Sequence, residues 1–356
     1  MQNTSKPFYR PELDAVRFFA FLSVFCHHVL VRNRTVVAAP RAAAVDAMAF
    51  GLCLFFCLSA YLITLILLRE KATTGTVHLR RFYFRRVLRI WPLYFVGLAC
   101  AFAFEVGMHH VHATITWFLA ACFMAGNLVP RSVIAGGHLW SISVEEQFYL
   151  FWPIVMCRVN RVGMLLVACL LVLLSGLTLV HYGRVHRIVY PGAWNSSFLQ
   201  FGMCAVGILL ALFENRRRKF SPSVSVLLIL IACGIWYAAA FGLSLRTYPE
   251  TIHGPGILCA GYALVAIGCA LILIAAPGVP RWPRWIIYLG QISYGLYVFH
   301  IPVIYLVGYS LRLSRHRTIL LAFFVNILVA ALSYKYFESP FLRLKRKFEI
   351  IPTRPV

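Results

Sequence analysis

The chain has 356 residues, 61% of them hydrophobic and 15% aromatic, with 13% charged and a mean hydropathy of +0.79. Lys and Arg number 34 against 11 Asp and Glu, a formal charge of +23. A chain this apolar does not wrap nucleic acid, so its basic residues are expected in loops, where they report topology. What remains is an all-α polytopic membrane protein whose spans and short loops use up the length, without a separate soluble domain.

Mainly apolar windows long enough to cross a hydrocarbon core of ~30 Å fall at 12–31, 44–68, 91–107, 139–157, 162–181, 197–213, 222–243, 256–277, 286–310 and 318–338, ten in all. The first follows basic residues as in a signal peptide, but it runs for a full span with no small-residue cleavage site, so it is expected to stay as a transmembrane helix. A further apolar stretch, 113–127, is short and flanked by histidines. With ten spans and the N-terminus inside, 23 of the 34 Lys and Arg are cytoplasmic, whereas an eleventh span at 113–127 leaves 16 inside against 17 outside and erases the positive-inside bias. Ten spans with both termini cytoplasmic are therefore expected, with 113–127 re-entrant or interfacial. One membrane domain covers 1–345, and a short basic cytoplasmic tail covers 346–356. The eleven cysteines lie in apolar stretches without a CxxC or Cys/His grouping and read as small buried hydrophobes.

Ionisable residues within spans are costly and mark function by default. In the first span Asp14, Arg17 and His28 share a helical face while His27 points elsewhere, because the 11 positions from Arg17 to His28 overshoot whole turns by about 20°. That face carries an acid–base pair near the inner end and an imidazole about 16 Å away near the outer end; the bland alternative is a simple ion pair and an interfacial histidine. The basic stretch 78–94 holds Arg80, Arg81, Arg85, Arg86 and Arg89 among aromatic residues. Arg86 and Arg89, three apart, could grip a phosphorylated donor, or the segment could simply bind anionic lipid. His109, His110 and His112 lack an acidic or Cys companion at convincing spacing, so no metal is expected. In 138–153, Glu145 and Glu146 enter an apolar span beside His138, Ser141, Ser143 and Gln147. A carboxylate near an imidazole can orient it as a hydroxyl-activating base, with interhelical hydrogen bonding as the alternative. Tyr294, Tyr297 and His300 punctuate the span at 289–302 with a helical rhythm, with interfacial tyrosines as the bland alternative.

Together these segments resemble the acyltransferase 3 family of integral membrane acyltransferases over most of the chain. PELDAVRFFAFLSVFCHHV (11–29) is similar to the family's opening of Asp, Arg, ten residues and His, which assigns the catalytic His to His28 and its paired Arg to Arg17. GLCLFFCLSAYLI (51–63) resembles the second span, with Ala60 and Tyr61 where the family usually has Gly-Phe and Cys53 where Asp is frequent. FRRVLRIWPLY (84–94) carries the Arg-x-x-Arg-Ile-x-Pro element at Arg86 and Arg89. HLWSISVEEQFYLFWP (138–153) resembles the His-x-Trp-Ser-Leu-Ser-x-Glu-x-Gln-Phe-Tyr signature and favours Glu145 over Glu146. SYGLYVFHIP (293–302) and YKYFESPF (334–341) resemble the two closing elements.

The resemblance implies an O-acyltransferase of the bacterial inner membrane that takes an acyl group, most simply acetyl, from cytoplasmic acyl-CoA. No bound cofactor is expected. The acceptor would be a hydroxyl of a saccharide, glycolipid or secondary metabolite. In that picture Arg86 and Arg89 hold the CoA phosphates, and His28 is general base or acyl relay. Glu145 orients His28, Asp14 and Arg17 support the interior path, and His138, Ser143, Tyr294, Tyr297 and His300 are acceptor or second-shell groups. Some relatives add an extracytoplasmic hydrolase-like domain. This chain ends about 15 residues after its last expected span, so it is expected to act alone or to hand acyl groups to a partner protein. The rivals are a transporter or flippase of a polar lipid or acyl-sugar, and a structural component of a polysaccharide synthesis complex.

Overall fold

A computed structural model describes residues 8–31, 39–107, 111–129, 133–185, 192–214, 220–245, 254–279, 281–310 and 315–353. Among the described residues every regular element is helical. The helices are α1 (Pro11–Val31), α2 (Ala39–Met48), α3 (Gly51–Thr74), α4 (Leu79–Gly107), α5 (Val111–Cys122), α6 (Trp140–Arg158), α7 (Arg161–Val185), α8 (Gly192–Asn195), α9 (Ser197–Leu212), α10 (Pro222–Phe241), α11 (Pro255–Ala275), α12 (Arg284–Gln291), α13 (Ser293–Ser310), α14 (Arg315–Leu332) and α15 (Ser339–Arg346). A 3-10 turn, Gly137–Leu139, leads into α6, and a π-helical stretch, Ser333–Glu338, joins α14 to α15.

Seven helical segments are long and apolar enough to cross a membrane, and α12 with α13 makes an eighth if the pair is one broken span. These eight coincide with eight of the ten expected windows. The other two fall short for different reasons. Helix α6 has 19 residues but carries Ser141, Ser143, Glu145, Glu146 and Gln147, and α9 is apolar but has only 16. The window 286–310 is not one helix, since it breaks at Ile292. Conversely, the basic stretch and the span after it form one 29-residue helix, α4, which runs through Pro92. Within 113–127 the structure has part of α5, a helix of 12 residues, shorter than a span. His109 and His110 lie outside the described residues, as does the side chain of His112.

The cysteines need correction. Cys53, Cys57, Cys204 and Cys269 are buried, but Cys100, Cys122, Cys169 and Cys233 are exposed on helix surfaces. Apolar surroundings do not imply an interior position here, because the outward face of a membrane helix is as apolar as its core.

The described residues fold as two compact units. The first comprises the chain up to Arg10, Ile66–Arg158 and Gln291 onward; the second comprises Pro11–Leu65 and Val159–Gly290. In the second unit α7 packs on α9, α10 on α11, and α1 and α10 on α2. Close approach relies on small residues, as is usual between membrane helices. At Gly207 of α9 a side chain would run into the carbonyl of Cys57 and stand 2.8 Å from the Tyr61 amide, and at Gly290 it would run into the carbonyl of Asp14.

In the first unit α4 packs against α5, α6, α13 and α15, and α13 against α14. Its basic end is tied together by specific bonds. Glu70, fully buried, accepts from the amide of His78 (2.8 Å) and from Arg85 Nη2 (3.1 Å), while Arg85 Nη1 donates to the carbonyl of Phe348 (2.9 Å). Phe84 stacks on Phe348, the Phe8 amide donates to the carbonyl of Pro352 (2.8 Å), and Arg69 lies over the Phe8 ring. The two ends of the described chain therefore meet beside the start of α4.

Candidate active site

The second unit holds the first-span residues. Asp14 is buried and pairs with Arg17, Nη1 to Oδ1 at 2.7 Å. The three-residue spacing puts both on one face of α1, as the sequence predicts. The unbroken helix carries His28 about 16 Å further on. His27 and His28 diverge as expected. His27 is buried with Nδ1 2.7 Å from the carbonyl of Val45, which can only accept, so Nδ1 carries the proton; His28 is half-buried, with its ring edge-on to that of His27. Nearby, Ser23 Oγ donates to the carbonyl of Met48 (2.7 Å), fastening α1 to the end of α2. Where the family usually has Gly-Phe, the Tyr61 hydroxyl donates to Glu214 Oε2 (2.7 Å).

The first unit holds Arg86 on α4, His138 in the turn before α6, Ser143 and Glu145 on α6, and Tyr294, Tyr297 and His300 on α13. The Arg86 guanidinium lies 4.8 Å over the ring of Tyr149 and 5.4 Å from that of Phe82. The Tyr149 hydroxyl donates to Glu145 Oε1. One tyrosine thus bridges the proposed donor-side arginine and the favoured glutamate. Adjacent Glu146 turns elsewhere and accepts from the Trp91 indole (2.8 Å). The two glutamates find different partners, as their separation of about 100° on a helix requires. Gln147 donates to the carbonyl of Met124 and to Asn127 Oδ1, both at 2.9 Å. Arg89 lies one turn beyond Arg85 on α4, within electrostatic reach of Glu338.

Of the residues assigned to the acceptor side, His138, Tyr297 and His300 form a buried cluster. His138 Nε2 lies 3.1 Å from the carbonyl of Val298, and the Tyr297 hydroxyl donates to the carbonyl of His138 (3.0 Å) and sits 2.5 Å from Ser141 Oγ. His300 Nδ1 donates to the carbonyl of Tyr297 (2.6 Å), and the His138 and His300 rings stand edge to face at 4.7 Å. Tyr294 donates to the carbonyl of Ile90 (2.8 Å), tying α13 to α4. Ser143 is fully buried.

Two residues that sequence reasoning passed over matter here. Tyr149 stands four after Glu145, a helical spacing that could have flagged it. Glu105, fully buried in α4, accepts from the amides of Ile134 (2.5 Å) and Ala135 (2.8 Å) and so fixes the loop before the 138–153 signature. No local pattern announces that contact.

An all-helical, membrane-embedded chain with ion pairs and histidines inside its helices, and an arginine, tyrosine and glutamate in register on two of them, is a polytopic membrane protein built around buried polar chemistry. A family model described as an acyltransferase domain matches residues 10–335, and the chain belongs to this acyltransferase 3 family. Among its relatives are a protein of Staphylococcus aureus (strain MSSA476) named "Putative O-acetyltransferase", 27% identical over 94% of this chain and 57% of its own length, and "Putative peptidoglycan O-acetyltransferase YrhL" of Bacillus subtilis (strain 168), 28% identical over 93% and 55%. "Putative acetyltransferase ORF330" of Acidianus two-tailed virus is 26% identical over 84% of this chain and 85% of its own. The chain thus spans little more than half the length of the first two. No solved structure matches.

Proposed function

We propose that the protein is a membrane O-acyltransferase that takes an acyl group, most simply acetyl, from acyl-CoA on the cytoplasmic side and delivers it to a hydroxyl of a saccharide at or beyond the membrane. The observation that carries this reading is the family match over residues 10–335, which includes Arg17, His28, Arg86, Arg89 and Glu145. The relative named for peptidoglycan supports a cell-wall glycan as the acceptor class.

In the reaction, His28 takes the proton of the acceptor hydroxyl, or its ring nitrogen first takes the acyl carbon as the C–S bond breaks and gives it up to the acceptor oxygen as that C–N bond breaks. The acceptor oxygen forms a C–O bond to the acyl carbon, the C–S bond breaks, and the CoA thiolate leaves and is protonated. Arg86 and Arg89 grip the donor phosphates, and Asp14 holds Arg17 in place inside the membrane. The meeting of residues 8 and 352 in the first unit supports an even number of crossings, as in the ten-span reading, with α6 and α9 as the two less apolar or shorter spans. The clustering of Arg69 and Arg85 at that meeting point supports its cytoplasmic side.

The test is acyl transfer from labelled acetyl-CoA to cell-wall glycan by membranes containing the protein, its His28→Ala variant or its Arg86→Ala variant at equal abundance. His28→Ala is expected to abolish transfer and Arg86→Ala to raise the donor KM. Wild-type transfer by His28→Ala would overturn the reading.

A further inference from the structure

The signature that begins at His138 and the one that ends at Pro302 are far apart in the chain, and neither explains its own terminal residue. Pro302 lies inside α13. A proline has no N–H, and its ring pushes away the carbonyl four residues earlier, here that of Val298. In a membrane interior a carbonyl left open this way must find another donor. The donor is His138, whose Nε2 is 3.1 Å from the Val298 oxygen. Because a carbonyl only accepts, Nε2 carries the proton in the neutral ring. The bond is returned: the Tyr297 hydroxyl, one residue from Val298, donates to the carbonyl of His138 itself (3.0 Å). The side chain of Val298 sits against Gly97 of α4, where no Cβ would fit. The turn before α6, the proline-interrupted stretch of α13 and the middle of α4 are thus pinned at one residue.

We propose that His138 is a positioning residue: with Tyr297 it forms a reciprocal clasp across the gap that Pro302 leaves in the hydrogen bonding of α13, which fixes the start of α6 and so holds Glu145, about one and a half turns along that helix, in register with Arg86 on α4. The proposal rests on the acyl-transfer reading of those two residues. It makes His138 a neutral donor to the backbone, not a group that exchanges protons with substrate, and it makes Pro302 the reason that His138 is needed.

That last point gives a test with a specific signature. Pro302→Ala restores a main-chain N–H four residues after Val298, the natural helical partner of its carbonyl. We would measure acetyl transfer from labelled acetyl-CoA to added cell-wall glycan by purified protein in lipid nanodiscs for wild type, His138→Ala, Pro302→Ala and the double variant. Loss of a donor to a buried carbonyl is expected to lower kcat/KM about tenfold in His138→Ala. Pro302→Ala should stay within about threefold of wild type, and the double variant within about threefold of Pro302→Ala, because the new N–H replaces the imidazole. A double variant as impaired as His138→Ala would overturn the proposal. If His138→Ala is not recovered as a monodisperse protein, His138→Gln, which keeps a side-chain N–H donor, takes its place. It is then expected to retain turnover, and loss of turnover in folded His138→Gln would also overturn the clasp. Melting temperatures of the same proteins separate the two layers. Absence of turnover in wild type would sink the acyl-transfer reading, with the clasp still visible as non-additive Tm shifts. Coupling in Tm without coupling in turnover would refute the positioning role.

Discussion

Tyr149 offers the sharpest perturbation of the candidate site because its two contacts can be removed one at a time. Its hydroxyl donates to Glu145 and its ring lies 4.8 Å beneath Arg86. A hydrogen bond to a charged group contributes about 1.5–3 kcal/mol, and since Glu145 is only half-buried the lower end applies. At ~1.4 kcal/mol per factor of ten this is about a tenfold effect on rate. The cation–π contact is worth about 0.5–1 kcal/mol at such a site, a factor of roughly two to five. Tyr149→Phe keeps the ring and loses the hydroxyl, so kcat should fall about tenfold with the donor KM within about twofold of wild type. Tyr149→Leu loses both, and should add a two- to fivefold rise in donor KM. Steady-state acetyl transfer from acetyl-CoA to added cell-wall glycan by nanodisc-embedded protein reads both constants. Wild-type kcat in Tyr149→Phe, or no difference in KM between the two variants, would refute the bridge from Arg86 to Glu145.

Three further expectations concern stability. Arg85→Ala leaves the fully buried Glu70 carboxylate without its guanidinium, which should cost about 3–5 kcal/mol, whereas Arg80→Ala at an exposed position should fall within about 0.5 kcal/mol of wild type; thermal melts in detergent compare them. Gly97→Ala places a methyl group against Val298 and should cost about 1–3 kcal/mol, and Val298→Ala in the same chain should recover part of that loss in Tm. Gly207→Ala meets first the backbone atoms of Cys57 and Tyr61, which cannot rotate away, so a cost at or above the top of that ~1–3 kcal/mol range should appear as lost monodisperse protein on size-exclusion chromatography.

The sequence was most informative where physics acts locally. Seven of ten apolar windows coincide with helices able to span, and an eighth with the broken pair of α12 and α13, because length and apolarity alone decide that property. The shared face of Asp14 and Arg17 followed from helical spacing and is an ion pair in the structure. The divergence of His27 from His28, and of Glu145 from Glu146, followed from the same rotation. What could not be read depends on contacts distant in sequence. The break at Ile292 and the continuity of α4 through Pro92 oppose local expectation, because tertiary packing decides whether a helix tolerates an interruption. Nor could charge sort the five arginines of 80–89. Arg85 is committed to a buried glutamate and a distant carbonyl, while Arg86 lies over a tyrosine of α6.

That sorting bears on how intramembrane polar residues are interpreted. His27, His138 and Tyr294 each bond to a main-chain carbonyl, of Val45, Val298 and Ile90 respectively. Asp14 with Arg17, and Glu145 with Tyr149 and Arg86, instead engage other side chains. A carbonyl without a donor is expensive where no water can reach it, so kinked and broken helices recruit polar side chains for reasons that involve no chemistry. Rarity within a span therefore identifies both groups, and the nature of the partner separates them. Substitutions at His27 or Tyr294 should lower Tm with kcat per folded molecule largely kept, and substitutions at Glu145 or Arg86 should lower kcat or raise the donor KM at nearly unchanged Tm. A set of variants in which Tm and turnover fell together for every one of these residues would refute the division.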